Sequence, residues 1–224
     1  MSKPWTVFGG WAVPPQILYP VFGKEATYID INHFMPFLIE NDHLSEDWKQ
    51  QLFSKVNDLI SDHDHIAGWS TGALLALGLM QIFTPKEAVL ISATPSFCRR
   101  TNFRFGTRQS IIDTMIQKLR AGNKDVLAQF FSGCGIDGTG YFDLYDIPEL
   151  TAGLIFLKEA VFFDITHGAT ETLVAHGTVD SIIPLEAGRQ ICSQLRGSWY
   201  QIDGPHAFFI KPEFDKSNLS DMIV

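Results

Sequence analysis

Cysteine is scarce in this sequence: three residues, Cys98, Cys134 and Cys192, in a chain of 224. An odd number at wide spacing excludes a disulfide framework and a metal knuckle, and points to reduced thiols in a cytoplasmic protein. Positive charge is also in deficit, with 17 Lys and Arg against 25 Asp and Glu. The resulting formal net charge of −8 argues against a general nucleic-acid binder. No apolar run reaches membrane-spanning length, and no basic segment followed by an apolar one opens the chain, so neither a membrane span nor a secretory leader is expected. Repeats and low-complexity linkers are lacking as well. The expectation is a soluble, cytoplasmic monomer whose 46% hydrophobic content builds one domain with a sizeable core.

Short apolar runs alternate with segments of helical period. Strands are expected at Trp5–Phe8, Ala26–Ile31, His65–Gly68, Ala88–Ser92, Thr172–Ala175 and Ser198–Ile202. Helices are expected at Glu46–Ile60, Thr71–Ile82 and, more weakly, Leu185–Leu195. Such alternation implies crossover connections, hence an α/β fold with a mostly parallel sheet covered on both faces. Residues 95–157 break the rhythm, with helical patterns at Thr107–Leu119 and Lys124–Phe131, a Gly-rich stretch, and a further helix from Pro148. They are expected to form a helical lid on a core made of residues 1–94 and 158–224.

Ligands of open α/β sheets bind at the carboxyl ends of strands. After the third strand comes Gly68-Trp-Ser-Thr-Gly72, in which Ser70 would stand on a sharp strand-to-helix turn with its hydroxyl exposed. The plain alternative is a tight turn that merely needs small residues. A serine nucleophile requires a base, and His206, in the loop after the last strand, is the candidate among seven histidines. His63, His65 and His176 read as packing or hydrogen-bonding residues, and His33, His43 and His167 as surface. The base requires an acid to fix its tautomer. Asp180, just after the fifth strand, is favoured over Asp203, too near His206 in sequence, and Asp164, which precedes the strand. The chain order Ser70, Asp180, His206 is the one this triad takes on an α/β-hydrolase sheet. Oxyanion donors are expected at the main-chain N–H groups of Thr71, at a helix N-terminus, and of Trp11, in the loop after the first strand.

These residues resemble the α/β-hydrolase superfamily and, within it, the pimeloyl-acyl-carrier-protein methyl ester carboxylesterases of biotin synthesis. The resemblance rests on Gly10-Trp11, Gly68-Trp-Ser-Thr-Gly72, His176-Gly-Thr-Val-Asp180 with Pro184, and Pro205-His206-Ala207 followed by Phe209-Ile210. It extends into the lid through Ser92-Ala-Thr-Pro-Ser-Phe97, Asp125 to Phe131 and Gly153 to Leu157, and so covers most of the chain. One departure stands out. Where the family has His-Gly-Trp, this chain has Gly9-Gly10-Trp11, so the side chain that braces the oxyanion loop is absent.

The resemblance implies that Ser70 attacks a methyl ester on a pimeloyl chain tethered to acyl carrier protein, releasing methanol. Carrier proteins are acidic, and Arg99, Arg100, Arg104 and Arg108 at the start of the lid form a basic patch suited to steering one. Ordinary solvated lid charges are the alternative. An apolar slot for the acyl chain is expected from Trp69, Phe97, Phe130, Phe131 and Phe208, with Phe103 and Phe105 as further candidates, although most phenylalanines are simply core. A broad short-chain carboxylesterase or thioesterase, and a non-catalytic binding module, are the competing readings. No cofactor and no metal are expected. Asp62, His63, Asp64 and His65 suggest a metal run, but alternate residues of a strand face opposite sides.

Overall fold

The computed structural model describes residues 5–60, 64–165, 169–212 and 214. Eight strands are found among them: β1 Thr6–Phe8, β2 Thr27–Ile29, β3 Ile39–Glu40, β4 His43–Leu44, β5 His65–Trp69, β6 Glu87–Ile91, β7 Glu171–Gly177 and β8 Ser198–Ile202. Six form one sheet in the order β2-β1-β5-β6-β7-β8, and every neighbouring pair is parallel. β3 and β4 make a separate antiparallel hairpin with two residues per strand, too short for any alternation to announce it.

The helices are α1 Tyr19–Phe22, α2 Trp48–Val56, α3 Thr71–Leu79, α4 Gln109–Arg120, α5 Asp125–Cys134, α6 Ile147–Glu159 and α7 Leu185–Leu195. α3 is apolar all round, and all nine of its residues are buried, as expected of a helix with no solvent-facing side. Each fully buried Leu or Phe in such a core adds about 1.5–3 kcal/mol from apolar area alone. α4, α5 and α6 lie between β6 and β7 in the chain, within the residues 95–157 expected to form a lid. α6 starts sharply because Asp146 and Glu149 form a reciprocal cap, each side chain accepting from the other's main-chain N–H.

The chain leaves β1 for β2 on one side and returns to β5 on the other, so the strand order reverses at the β1–β5 pair, where Phe8 is opposite Gly68. A crevice at the carboxyl ends of the strands opens at such a reversal. The loop after β1 and the turn after β5 therefore start side by side. The loops after β7 and β8 do the same, since Gly177 is opposite Ile202. Two main-chain bonds zip these loops further, Thr178 N–H to Ile202 at 2.8 Å and Val179 N–H to Gly204 at 3.0 Å.

Candidate active site

Ser70 follows β5 directly and takes φ 57° and ψ −118°, a strained conformation for a residue with a Cβ. Its neighbours explain how the turn closes. A Cβ on Gly68 would strike the Gly72 main chain, and one on Gly72 would strike the carbonyls of Phe8 and Gly9. Glycine at both positions thus lets β5, α3 and the β1 loop meet backbone to backbone. Ser70 N–H is held by the Ile91 carbonyl at 2.9 Å, which ties the bend to the end of β6.

His206 and Asp180 meet across the zipped β7 and β8 loops. His206 Nδ1 lies 2.7 Å from Asp180 Oδ2, and both side chains are fully buried. The other carboxylate oxygen, Oδ1, accepts from the N–H groups of Ile182 at 2.8 Å and Ile183 at 2.9 Å. Burial alone would push the Asp180 carboxyl up, but the charge and hydrogen bond of His206, the charge of His176 and the Ile183 N–H together hold it below the usual carboxylate range. An Asp180 carboxylate accepting at Oδ2 makes His206 Nδ1 the protonated nitrogen. His206 Nε2 is then the free base; it is buried and forms no hydrogen bond among the described residues.

The His206 main chain is pinned as firmly as the ring. Its carbonyl accepts from Trp69 Nε1 at 3.1 Å and from Ser92 Oγ at 3.2 Å, and the Trp69 and His206 rings lie 5.2 Å apart. Trp69, next to Ser70, therefore links the nucleophile turn to the histidine loop, a role its motif does not reveal. His176 is a second histidine on the same carboxylate. Its Nε2 is 2.9 Å from the Ile183 carbonyl and 3.3 Å from Asp180 Oδ2, and its ring stacks on Trp199. Burial holds the His176 imidazole below its ordinary range, against the opposing pull of Asp180. Of the other acid candidates, Asp203 accepts from Thr178 Oγ1 at 2.9 Å and Asp164 is exposed.

Thr71 N–H opens α3 and has no intrahelical acceptor. Among the described residues Trp11 N–H has no main-chain partner, while its indole Nε1 donates to the Leu150 carbonyl of α6 at 2.9 Å. The Phe130 ring sits edge-on to Trp11 with centroids 4.9 Å apart. Phe97 is half-buried and lines a small cavity of about 10 Å³ with Ile182, Ile183 and Pro184. Phe131 is buried against Gly138, Tyr141 and Phe142, and Phe208 against Phe209 and Phe214. Phe103 is buried with Phe105, Phe163 and Ile183 in a satellite cluster. A much larger cavity, about 690 Å³, holds no triad residue and lies between α6 and the β3–β4 hairpin, lined by Ile39, Asp42, Arg120, Thr151 and Ile155 among others.

The lid arginines divide. Arg99 Nε donates to the Gly106 carbonyl at 2.8 Å, and Arg100 to the Lys158 carbonyl. Arg104 and Arg108 are exposed. His33 and His43, expected at the surface, are exposed but bonded: His33 to Glu149 at 2.6 Å and His43 to Glu159 at 3.0 Å, near the two ends of α6. Of the acidic and histidine run, Asp62 and His63 lie outside the described residues, as does His167. Asp64 pairs with Lys86, and His65 lies 4.0 Å from Glu87. Among the described residues, no cluster of three His, Cys, Asp or Glu could hold a metal ion, and no helix is long and apolar enough to cross a membrane.

Sequence reasoning overlooked Asn32. It is fully buried just beyond β2, where its amide bonds the main chain on either side of Trp11. Its position at a strand end beside β1 was the available signal, but asparagine is common in turns for other reasons.

No family model matches the chain. It is 24% identical over 178 residues to the AB hydrolase superfamily protein YisY of Bacillus subtilis, covering 70% of this chain and 62% of that protein. The chain thus spans less than two thirds of the length of that curated relative. Among solved structures it is similar to an esterase from Exiguobacterium antarcticum, with a TM-score of 0.74 and 15% identity over 93% of this chain and 87% of that one. It is also similar to BioG from Haemophilus influenzae, with a TM-score of 0.57 and 18% identity over 92% of this chain and 89% of that one. The chain has the α/β-hydrolase fold.

Proposed function

We propose that the chain is a serine carboxylic ester hydrolase. His206 Nε2 takes the Ser70 proton as Oγ attacks the ester carbonyl, and Asp180 stabilises the imidazolium that forms. The tetrahedral oxyanion is held by the N–H groups of Trp11 and Thr71. The alcohol leaves with the proton from His206, giving an acyl-serine. Water, deprotonated by the same nitrogen, then releases the acid and restores Ser70. The observation that carries this reading is the buried 2.7 Å contact of His206 Nδ1 with the Asp180 carboxylate, which turns Nε2 to the other side of the ring, where it has no hydrogen-bond partner among the described residues.

For the substrate we infer a methyl ester of a pimeloyl chain on acyl carrier protein. The sequence motifs around Ser70, Asp180 and His206, the likeness to BioG and the exposed Arg104 and Arg108 on an acidic body support it. The alternative is a short-chain ester or thioester, which the same Ser70, Asp180 and His206 arrangement would hydrolyse without a carrier. Turnover of pimeloyl-carrier methyl ester and of free nitrophenyl acetate by wild type and Ser70→Ala, read by product mass, separates the two. Methanol release from the carrier substrate that is lost in Ser70→Ala supports the first. Turnover of the free short ester alone supports the second. Unchanged turnover of both by Ser70→Ala would overturn the serine mechanism.

A further inference from the structure

We infer that Asn32 is the positioning residue that aims the Trp11 N–H at the developing oxyanion, an assignment that rests on the acyl-transfer reading above. The argument begins with the loop. Ala12 sits at φ 59°, a left-handed conformation that is strained for a residue with a Cβ. Gly9 and Gly10 have no side chain with which to brace the strained loop, so the brace must come from elsewhere. Asn32 does so at two points. Its Oδ1 accepts from Ala12 N–H at 2.9 Å, and its Nδ2 donates to the Gly10 carbonyl at 3.2 Å.

These two points flank Trp11, and the second fixes its direction. The Gly10 carbonyl and the Trp11 N–H belong to the same peptide unit, which is trans, since the described residues contain no cis peptide bond. In a trans unit the C=O and N–H point opposite ways. A Gly10 carbonyl tied to Asn32 therefore sends the Trp11 N–H away from Asn32. Rotation of that unit would break the Nδ2 bond and withdraw the donor.

The amide cannot simply turn over. Asp30 Oδ1 accepts from Asn32 Nδ2 at 3.0 Å and from Asn32 N–H at 3.1 Å, while Ala12 N–H requires an acceptor. Each of the three partners selects the same orientation of oxygen and nitrogen. Asp30 is itself held through its other oxygen by Tyr145 Oη at 2.7 Å, from the lid segment before α6. Asn32 is fully buried, so water offers no substitute at either point. Packing on the other side closes the arrangement, since a Cβ on Gly10 would lie 2.6 Å from the Trp69 ring.

The test is steady-state hydrolysis of nitrophenyl acetate by wild type, Asn32→Ala, Asn32→Asp and Ser70→Ala, with thermal melting as the fold control. Aspartate keeps the size and the Ala12 bond of Asn32 but cannot donate to Gly10. Both Asn32 variants should lose roughly a hundredfold in kcat, the scale of one missing oxyanion donor, with KM changed less than about threefold. Affinity for a trifluoromethyl ketone that adds to Ser70 should weaken in parallel with kcat/KM, which general loosening would not produce. Should neither variant fold, Asp30→Asn, which leaves Asn32 in place without its orienting carboxylate, should show the same split at about tenfold. Folded variants with wild-type kcat, or with the loss in KM, overturn the assignment while Ser70→Ala remains inactive. Full turnover by Ser70→Ala overturns the serine acyl-transfer reading on which the assignment rests.

Discussion

His206 Nδ1 lies 2.7 Å from Asp180 Oδ2, with neither side chain reaching solvent. In the proposed mechanism that single bond decides which imidazole nitrogen acts as the base. Replacing Asp180 by Asn would offer the ring an amide donor where it now meets an acceptor, favouring the tautomer with the proton on Nε2. Asp180→Asn should therefore lower kcat on the order of ten-thousandfold while the fold persists. Nitrophenyl ester kinetics alongside circular dichroism measure both.

Trp69 joins the nucleophile turn to the base loop through its indole N–H. Trp69→Phe keeps most of the ring that packs on Gly10, Phe209 and His206 but removes the donor to the His206 carbonyl. The expected cost is about 1 kcal/mol of stability, in keeping with one lost hydrogen bond partly covered by Ser92, and roughly a tenfold loss in kcat as the loop loosens. Urea unfolding and initial rates check the pair of numbers.

Gly72 leaves no room for a methyl group, because the Phe8 and Gly9 carbonyls occupy its Cβ position. The obstruction is main chain from the sheet itself, not a side chain that can swing aside. Gly72→Ala should destabilise by about 3 kcal/mol or more, or prevent folding, although alanine is the better helix former. The midpoint of chemical denaturation is the measurement.

Acid should destabilise this protein through the buried pair of Asp180 and His176. Asp180 and His176 both have their pKa lowered in the folded state, so the unfolded chain binds more protons as pH falls. The stabilisation is complete above the ordinary histidine pKa of about 6.5 and declines below it, with a further loss beneath the ordinary aspartate value of about 3.9. His33 behaves in the opposite sense. Its bond to Glu149 raises its pKa, so its contribution is present below about 6.5 and disappears as pH climbs through the raised value. Melting temperature across pH 5 to 9 should show a smaller acid-side decline in His176→Gln and a smaller alkaline decline in His33→Gln.

Arginine substitutions should sort by what each guanidinium already does. Arg104→Glu and Arg108→Glu, at exposed positions, should slow a carrier-linked substrate about tenfold or more at low salt and leave free esters unaffected, with the difference shrinking as salt rises. Arg100→Glu should destabilise the lid for both substrates, because Arg100 bonds the Lys158 carbonyl at the end of α6. Rates at two ionic strengths distinguish the cases.

The six sheet strands and the helices of residues 95–157 were legible from their apolar periodicity, and the Asp180–His206 pair from the placement of each residue at a strand end. Boundaries shifted by a few residues: β7 runs Glu171–Gly177 where Thr172–Ala175 was expected, and α2 covers Trp48–Val56 within the longer periodic segment. Asn32 was not legible, because its role depends on β1 and β2 pairing so that two loops 20 residues apart touch. The bonds of His33 and His43 to α6 join residues 116 apart, which no window of sequence contains. Trp69 was ambiguous for a different reason: an indole beside a nucleophile suits an acyl slot and a structural tie equally well until its N–H partner is seen.

The bond from Trp11 Nε1 to the Leu150 carbonyl ties the α6 helix to the residue whose main-chain N–H is the proposed oxyanion donor. Any outward swing of that helix must first sever it, and with it one anchor of the Trp11 indole. The placement of α6 and the setting of the loop after β1 are thereby coupled, so a substitution that shifts one of them should be felt in the other.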